Sequence, residues 1–149
     1  MGQSLSKVYI HLVFGTKKRK PLISEYVREE LHLYIAGILK KMESPALRIN
    51  SVSDHIHILF LQSKNYALSK IVEEVKKNSS KWIKTKGIIN FTWQIGYGAF
   101  SVSSSKIEVV KKYIENQQEH HRKKTFMEEV ELFMRKYQMN DYDKMYFWK

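Results

Sequence analysis

Ser53-Asp54-His55-Ile56-His57-Ile58-Leu59-Phe60 is the stretch on which the fold turns. Its isoleucines, leucine and phenylalanine predict a β-strand. Successive side chains of a strand point to opposite faces. His55 and His57 therefore share one face, about 7 Å apart, while Ile56, Ile58 and Phe60 point to the other, into a core. Two imidazoles side by side on a rigid strand can hold one metal ion. The rest of the chain can be asked what else reaches that face.

Working outward, residues Leu47 to Val52 read as the preceding strand, and a short turn near Ser53-Asp54 makes the two an antiparallel hairpin. Residues Lys7 to Phe14 form the first strand, apolar on both faces and ended by Gly15 and Thr16. The run Lys17-Lys18-Arg19-Lys20, closed by Pro21, then lies at one edge of the sheet, where a loop can bind phosphate. Ser24 is an N-cap, and Val27, Leu31, Tyr34, Ile35, Ile38, Leu39 and Met42 give a helical stripe that Ser44-Pro45 stops. Downstream, Leu68, Ile71, Val72, Val75, Trp82 and Ile83 make a second helix ending at Lys86-Gly87. A fourth strand is expected from about Phe91 to Val102, with a bulge or bend where its alternation switches at Gly96 and Gly98. Capping boxes at Ser105–Glu108 and Thr125–Glu128 open two more helices. Ile107, Val110 and Ile114 face inward on the first; Phe126, Val130, Phe133, Met134 and Tyr137 form one side of the second. Tyr142, Tyr146, Phe147 and Trp148 make an aromatic tail that should pack on this domain or on a second subunit. The fold class is α+β: a ferredoxin-like β-α-β-β-α-β antiparallel sheet with additional C-terminal helices. One domain spans residues 1–149, with a core over about 5–103, a tyrosine-bearing helix over about 104–121, and the last helix and tail over about 125–149.

The chain has 149 residues, 43% hydrophobic and 13% aromatic, a globular composition with room for a sizeable core. Lys plus Arg is 26 against 15 for Asp plus Glu, a net charge of +11. Such an excess on a small domain favours a polyanionic partner, most simply nucleic acid. With no Cys, disulfides, thiolate metal sites and a Cys nucleophile are excluded. The opening residues carry no signal-peptide pattern and no run is long enough to span a membrane, so the expected location is cytoplasmic, associated with the nucleoid.

A second stretch, Tyr113-Ile114-Glu115-Asn116-Gln117-Gln118-Glu119-His120-His121, can reach the histidine face. Tyr113 and Gln117 are four apart and share a helix face that His120 continues. Two imidazoles and an amide oxygen are a neutral donor set that leaves open positions on a divalent ion. The ion would polarise a phosphodiester while the Tyr113 hydroxyl attacks, its pKa lowered by the metal with Lys106, Lys111 or Lys112 nearby. Attack retains the bond energy as a phosphotyrosine, so rejoining needs no ATP. No H-E-x-x-H and no Gly-rich phosphate loop is present. By itself the His-x-His pair also fits two hydrogen-bonded histidines on a half-buried strand.

These residues resemble a known family, the small single-tyrosine HUH transposases of the insertion sequence 200/605 type, including the REP-associated tyrosine transposases. The likeness covers nearly the whole chain. It rests on His11-Leu12-Val13-Phe14 with Thr16-Lys17, on Ser53-Asp54-His55-Ile56-His57, on Trp93-Gln94-Ile95-Gly96-Tyr97-Gly98-Ala99-Phe100-Ser101-Val102-Ser103, and on the Tyr113 to His121 stretch, in that order and spacing. The resemblance implies that His55, His57 and Gln117 bind Mg2+ or Mn2+ and that Tyr113 is the nucleophile. It implies a substrate of single-stranded DNA with a hairpin at each element end, cleaved and rejoined through a 5′-phosphotyrosine. It also implies a homodimer in which the tyrosine helix completes the partner's site, although some REP-associated members act as monomers. Lys17, Lys18, Arg19 and Lys112 are the expected DNA contacts, and whether His11 or His120 joins the metal stays open. The alternative is a non-catalytic single-stranded nucleic-acid-binding domain with the same sheet; a relaxase or replication initiator would need a larger chain.

Overall fold

The computed structural model describes residues 2–139 and 142–149, with the Tyr146 side chain outside the described residues. Four strands, β1 (Val8–Gly15), β2 (Ala46–Ser51), β3 (His55–Gln62) and β4 (Gly98–Val102), form one sheet in the order β2-β3-β1-β4. Every neighbouring pair is antiparallel. This is the expected ferredoxin-like arrangement, with the two most apolar strands in the centre.

Helices α1 (Glu25–Lys41) and α2 (Leu68–Thr85) cover one face. Ile10, Leu12 and Phe14 of β1 and Ile56, Ile58 and Phe60 of β3 meet Val27, Leu31, Ile35 and Leu39 of α1 and Ile71, Val72, Val75 and Ile83 of α2 there. Each fully buried side chain of this kind contributes roughly 1.5–3 kcal/mol over leaving it exposed, which fixes which face of β3 is the core. A slip of one residue would take the isoleucines out of the α1–α2 core and put the histidines into it.

The opposite face carries His55, His57 and Leu59 of β3 with their cross-strand neighbours Gly15, Val13 and His11. Helices α3 (Ile107–Glu115), α4 (Gln117–Lys123) and α5 (Phe126–Lys136) and the short α6 (Lys144–Phe147) lie over it. Ile114 packs on Leu59 and Val102, with Ile107 and Val110 beside them. Val13 and Phe100 meet Phe126, Val130 and Met134, and Phe133, Tyr137, Tyr142, Phe147 and Trp148 close around that group. The aromatic tail therefore packs on its own chain.

Several local expectations need correction. Ser24 stands at the N-cap of α1, but its hydroxyl makes no capping bond. The Ser105–Glu108 box does not form: residues 104–106 make a 3-10 turn, the Ser103 and Ser105 hydroxyls bond each other at 3.1 Å, and Glu108 pairs instead with Lys111 at 3.3 Å. The Thr125–Glu128 box is present with both of its bonds. The tyrosine-bearing helix is two helices, broken at Asn116. The fourth strand begins at Gly98, not near Phe91; upstream of it only Trp93 pairs with β1, through Thr16. The cause is Lys76, whose ammonium takes the carbonyls of Gln94, Ile95 and Gly96 at 2.8, 3.0 and 2.7 Å and so removes them from any ladder.

Candidate active site

His55 and His57 project from β3 into the space under α3, α4 and α5, both fully buried. Each is tied from behind through Nδ1. His55 Nδ1 donates to the carboxylate of Asp54 at 2.8 Å; that acceptor orients the ring with Nε2 facing inward. His57 Nδ1 is hydrogen-bonded to His11 Nε2 at 2.8 Å. Imidazoles oriented in this way by a group behind them are typical metal ligands. His11 thus supports His57 from the neighbouring strand and does not face the centre.

Tyr113 and Gln117 come down from the last turn of α3 and the start of α4. The break between them is seated on β2: Asn50 Nδ2 donates to the carbonyls of Ile114 and Glu115 at 2.8 and 3.2 Å and to Gln118 Oε1 at 3.2 Å. Asn50 pairs with His57 in the sheet register, so the helix break is anchored one strand from the histidines. The Tyr113 and His57 rings lie 5.7 Å apart, and Gln117 Oε1 is 3.2 Å from His55 Nε2. The residues expected as nucleophile and ligands thus converge within one chain, without a partner's tyrosine helix. His120 stacks on the Tyr113 ring at 4.5 Å.

Glu129, in α5, was not anticipated. It sits at the centre of the cluster, 3% exposed. Its Oε1 lies 3.0 Å from His57 Nε2 and its Oε2 3.3 Å from His55 Nε2. It accepts from the Tyr113 hydroxyl and from Gln117 Nε2, the latter at 3.1 Å. A sequence signal did exist: Glu129 falls inside the stripe Phe126, Val130, Phe133 and Met134, and a carboxylate on a buried apolar face must find partners.

The charges follow this geometry. Burial draws His55 down, but Asp54 and Glu129 outweigh it and hold its pKa up to about 9. Burial keeps His57 below its ordinary value and His11 well below. Burial raises Glu129, but the two imidazoles override it and hold the carboxylate ionised, below the usual range. Burial and then the Glu129 charge push Tyr113 up.

The donor set fits a divalent cation. His55, His57 and Glu129 form a buried group whose ligand atoms all lie within 4.8 Å of one another. Adjacent donors about 2.1 Å from an octahedral ion are about 3 Å apart, and the contacts here are 3.0–3.3 Å. His57 Nε2 points into the cluster, 3.0 Å from Glu129 Oε1.

The surroundings are basic. A cavity of about 270 Å³ adjoins the cluster, lined among others by Tyr113, His120, Glu129, Lys124 and Lys136. Thr16 N bonds to the Asp54 carbonyl at 2.9 Å, which brings the Lys17-Lys18-Arg19 loop beside His55. That loop lines a second cavity, about 530 Å³, together with Trp148, and Arg19 lies 5.5 Å over the Trp148 ring. Lys112 is exposed on α3. Lys124 and Lys136 were not among the expected contacts.

A family model described as "Transposase IS200 like" matches residues 4–117. The chain belongs to the IS200-like transposase family. Among solved structures, this transposase is similar to a protein from Deinococcus radiodurans R1 assigned as a transposase, with a TM-score of 0.62 and 20% identity over 78% of this chain and 96% of that one. It is also similar to a REP-associated tyrosine transposase bound to a REP hairpin, with a TM-score of 0.58 and 15% identity over 81% of this chain and 74% of that one. Both likenesses show a shared fold. No curated protein matches the chain. Among the described residues, no helix is long and apolar enough to cross a membrane.

Proposed function

We propose that this transposase cleaves and rejoins single-stranded DNA through Tyr113. The supporting observation is the convergence of the Tyr113 ring and the His57 ring, 5.7 Å apart in one chain. The Tyr113 oxygen attacks the scissile phosphorus. The bond to the 3′ oxygen of the upstream nucleotide breaks, leaving a 3′ hydroxyl on one strand and a 5′-phosphotyrosine on the protein. Attack by an incoming 3′ hydroxyl reverses the step and joins strands without ATP. A Mg2+ or Mn2+ ion held by His55, His57 and Gln117 would polarise the phosphate and stabilise the charge that builds on it.

The chain's own residues do the rest. β3 holds both imidazoles rigidly, the α3–α4 break places Tyr113 over them, and α5 closes the site from above. Lys17, Lys18, Arg19 and Lys112 bind phosphates, joined by Lys124 and Lys136 around the smaller cavity. A REP hairpin is the ligand of one structurally similar protein, and it supports hairpin-bearing single-stranded DNA, in the nucleoid, as the substrate class here. The intrachain site supports cleavage in cis, whether or not the protein is a homodimer.

The test is a denaturing gel of labelled hairpin DNA incubated with protein and Mg2+ or Mn2+. The wild type should give a covalent adduct that Tyr113→Phe abolishes, by a factor of at least about 10³ for loss of a nucleophile. Binding with no adduct under either ion would instead indicate a non-catalytic DNA-binding domain. Mixing Tyr113→Phe with His57→Ala should leave the protein inactive; restored cleavage would place the tyrosine and the histidines of one site on different subunits.

A further inference from the structure

We propose that Glu129 is a fourth donor to the ion held by His55, His57 and Gln117, and that the same carboxylate docks the Tyr113 hydroxyl beside it. The inference rests on the metal site proposed above and adds to it a ligand from α5, beyond the residues 4–117 that match the family model.

Three observations carry it. First, Glu129 is 3% exposed, and no lysine or arginine pairs with it among the described residues. Its partners are imidazoles, a phenol and an amide, and a divalent ion bound among them supplies a permanent positive charge. Second, its two oxygens stand 3.0 and 3.3 Å from the inward nitrogens of His57 and His55, the spacing of neighbouring donors around one ion. Third, Gln117 closes the same group: its Oε1 lies 3.2 Å from His55 Nε2 and its Nε2 donates to Glu129 at 3.1 Å, so the four side chains meet at one centre.

The chemistry differs from that of the three-ligand set. Two imidazoles and an amide are neutral and rather soft for Mg2+ or Mn2+, which favour carboxylate oxygens. Adding Glu129 gives two nitrogens and two oxygens, lowers the net charge of the loaded site from +2 to +1, and strengthens its hold on a hard ion. Two positions of an octahedral ion stay open for the phosphate. Because the Tyr113 hydroxyl donates to Glu129, the nucleophile is held against the metal set before DNA arrives.

The opposing idea is that Glu129 only fills the place of the ion and must leave when the ion binds. The two ideas predict opposite signs. The experiment is isothermal titration of the full-length protein with Mn2+ alone, comparing wild type, Glu129→Gln, Glu129→Asp and Gln117→Ala, with thermal melting in EDTA as a check of folding. Glu129→Gln keeps the volume and removes the charge; it should weaken Mn2+ binding about tenfold or more, and Glu129→Asp, with its oxygens drawn back, should weaken it as well. Unchanged or tighter binding in whichever of these variants folds would overturn the proposal. A wild-type protein that binds no Mn2+ would overturn the metal reading itself, whereas loss in Gln117→Ala alone would leave the three-ligand set standing without Glu129.

Discussion

A methyl group on Gly15 would stand 2.6 Å from Phe126 Cε2 and 3.0 Å from the Asp54 carbonyl. Phe126 in turn lies flat on His55, with ring centroids 4.3 Å apart and planes 9° from parallel. A single hydrogen atom at position 15 thus lets α5 reach the histidine-bearing strand β3. Gly15→Ala should lower the unfolding free energy by about 1–3 kcal/mol through overpacking, read as a lower urea midpoint at unchanged slope; an unmoved midpoint would show that α5 does not press on β1 there. At this scale the histidine pair was legible because alternation on a strand needs only local geometry, and Tyr113 with Gln117 because a spacing of four keeps them together although the helix breaks at Asn116 between them. Glu129 was not, because its partners lie on β3, α3 and α4. Its only local mark is a charge amid the apolar stripe of Phe126, Val130, Phe133 and Met134. Gln94 is another long-range residue of this kind: its Oε1 accepts from Gly15 N at 2.7 Å and its Nε2 donates to the Phe147 carbonyl at 2.8 Å, joining β1 to the C-terminal segment.

Among the elements, the amphipathic helices and the central strands were readable from periodicity alone, since each buries one face against the sheet. The start of β4 was not. The alternation of Trp93, Ile95 and Tyr97 has the period of a strand, yet Lys76 on α2 captures the carbonyls that a strand would use. A side chain eighteen or more positions away overrode a local pattern. The break at Asn116 arises likewise from Asn50 on β2. A polar contact of the same sort joins α1 to β2, where His32 Nε2 meets the Ser51 hydroxyl at 2.7 Å. Burial, and then Arg28, draw the His32 pKa down to about 4 from 6.5. The folded protein therefore refuses a proton that the unfolded chain accepts, so stability falls as pH drops from 6.5 toward 4. At about 1.4 kcal/mol per pH unit the loss approaches 3 kcal/mol at the low end. His32→Gln should flatten the unfolding free energy over this window, and an equal slope in both proteins would remove His32 as its source.

For the whole molecule, the net charge of +11 acts through where the cations stand. The Lys17-Lys18-Arg19 loop is tied by Thr16 to Asp54, next to His55. Lys124 and Lys136 stand at the cavity beside Tyr113. Cations on two sides of one cluster can grip the strand on either side of a scissile phosphate while the cluster itself binds the phosphate between them. Affinity and chemistry then separate, because release of counterions from the flanking phosphates supplies the binding, and it depends on salt. For single-stranded DNA each neutralised phosphate contributes about −0.7 to the slope of log K against log salt. Replacing Lys17, Lys18 and Arg19 by Ala together should make that slope shallower by about 2, measured by fluorescence anisotropy of labelled single-stranded DNA over a range of salt concentrations. His57→Ala removes no cation from the flanking loops, so it should leave the slope as it is while cleavage is lost. A triple variant with the wild-type slope would mean that the loop stands clear of the DNA and that Lys124, Lys136 and Lys112 carry the backbone alone.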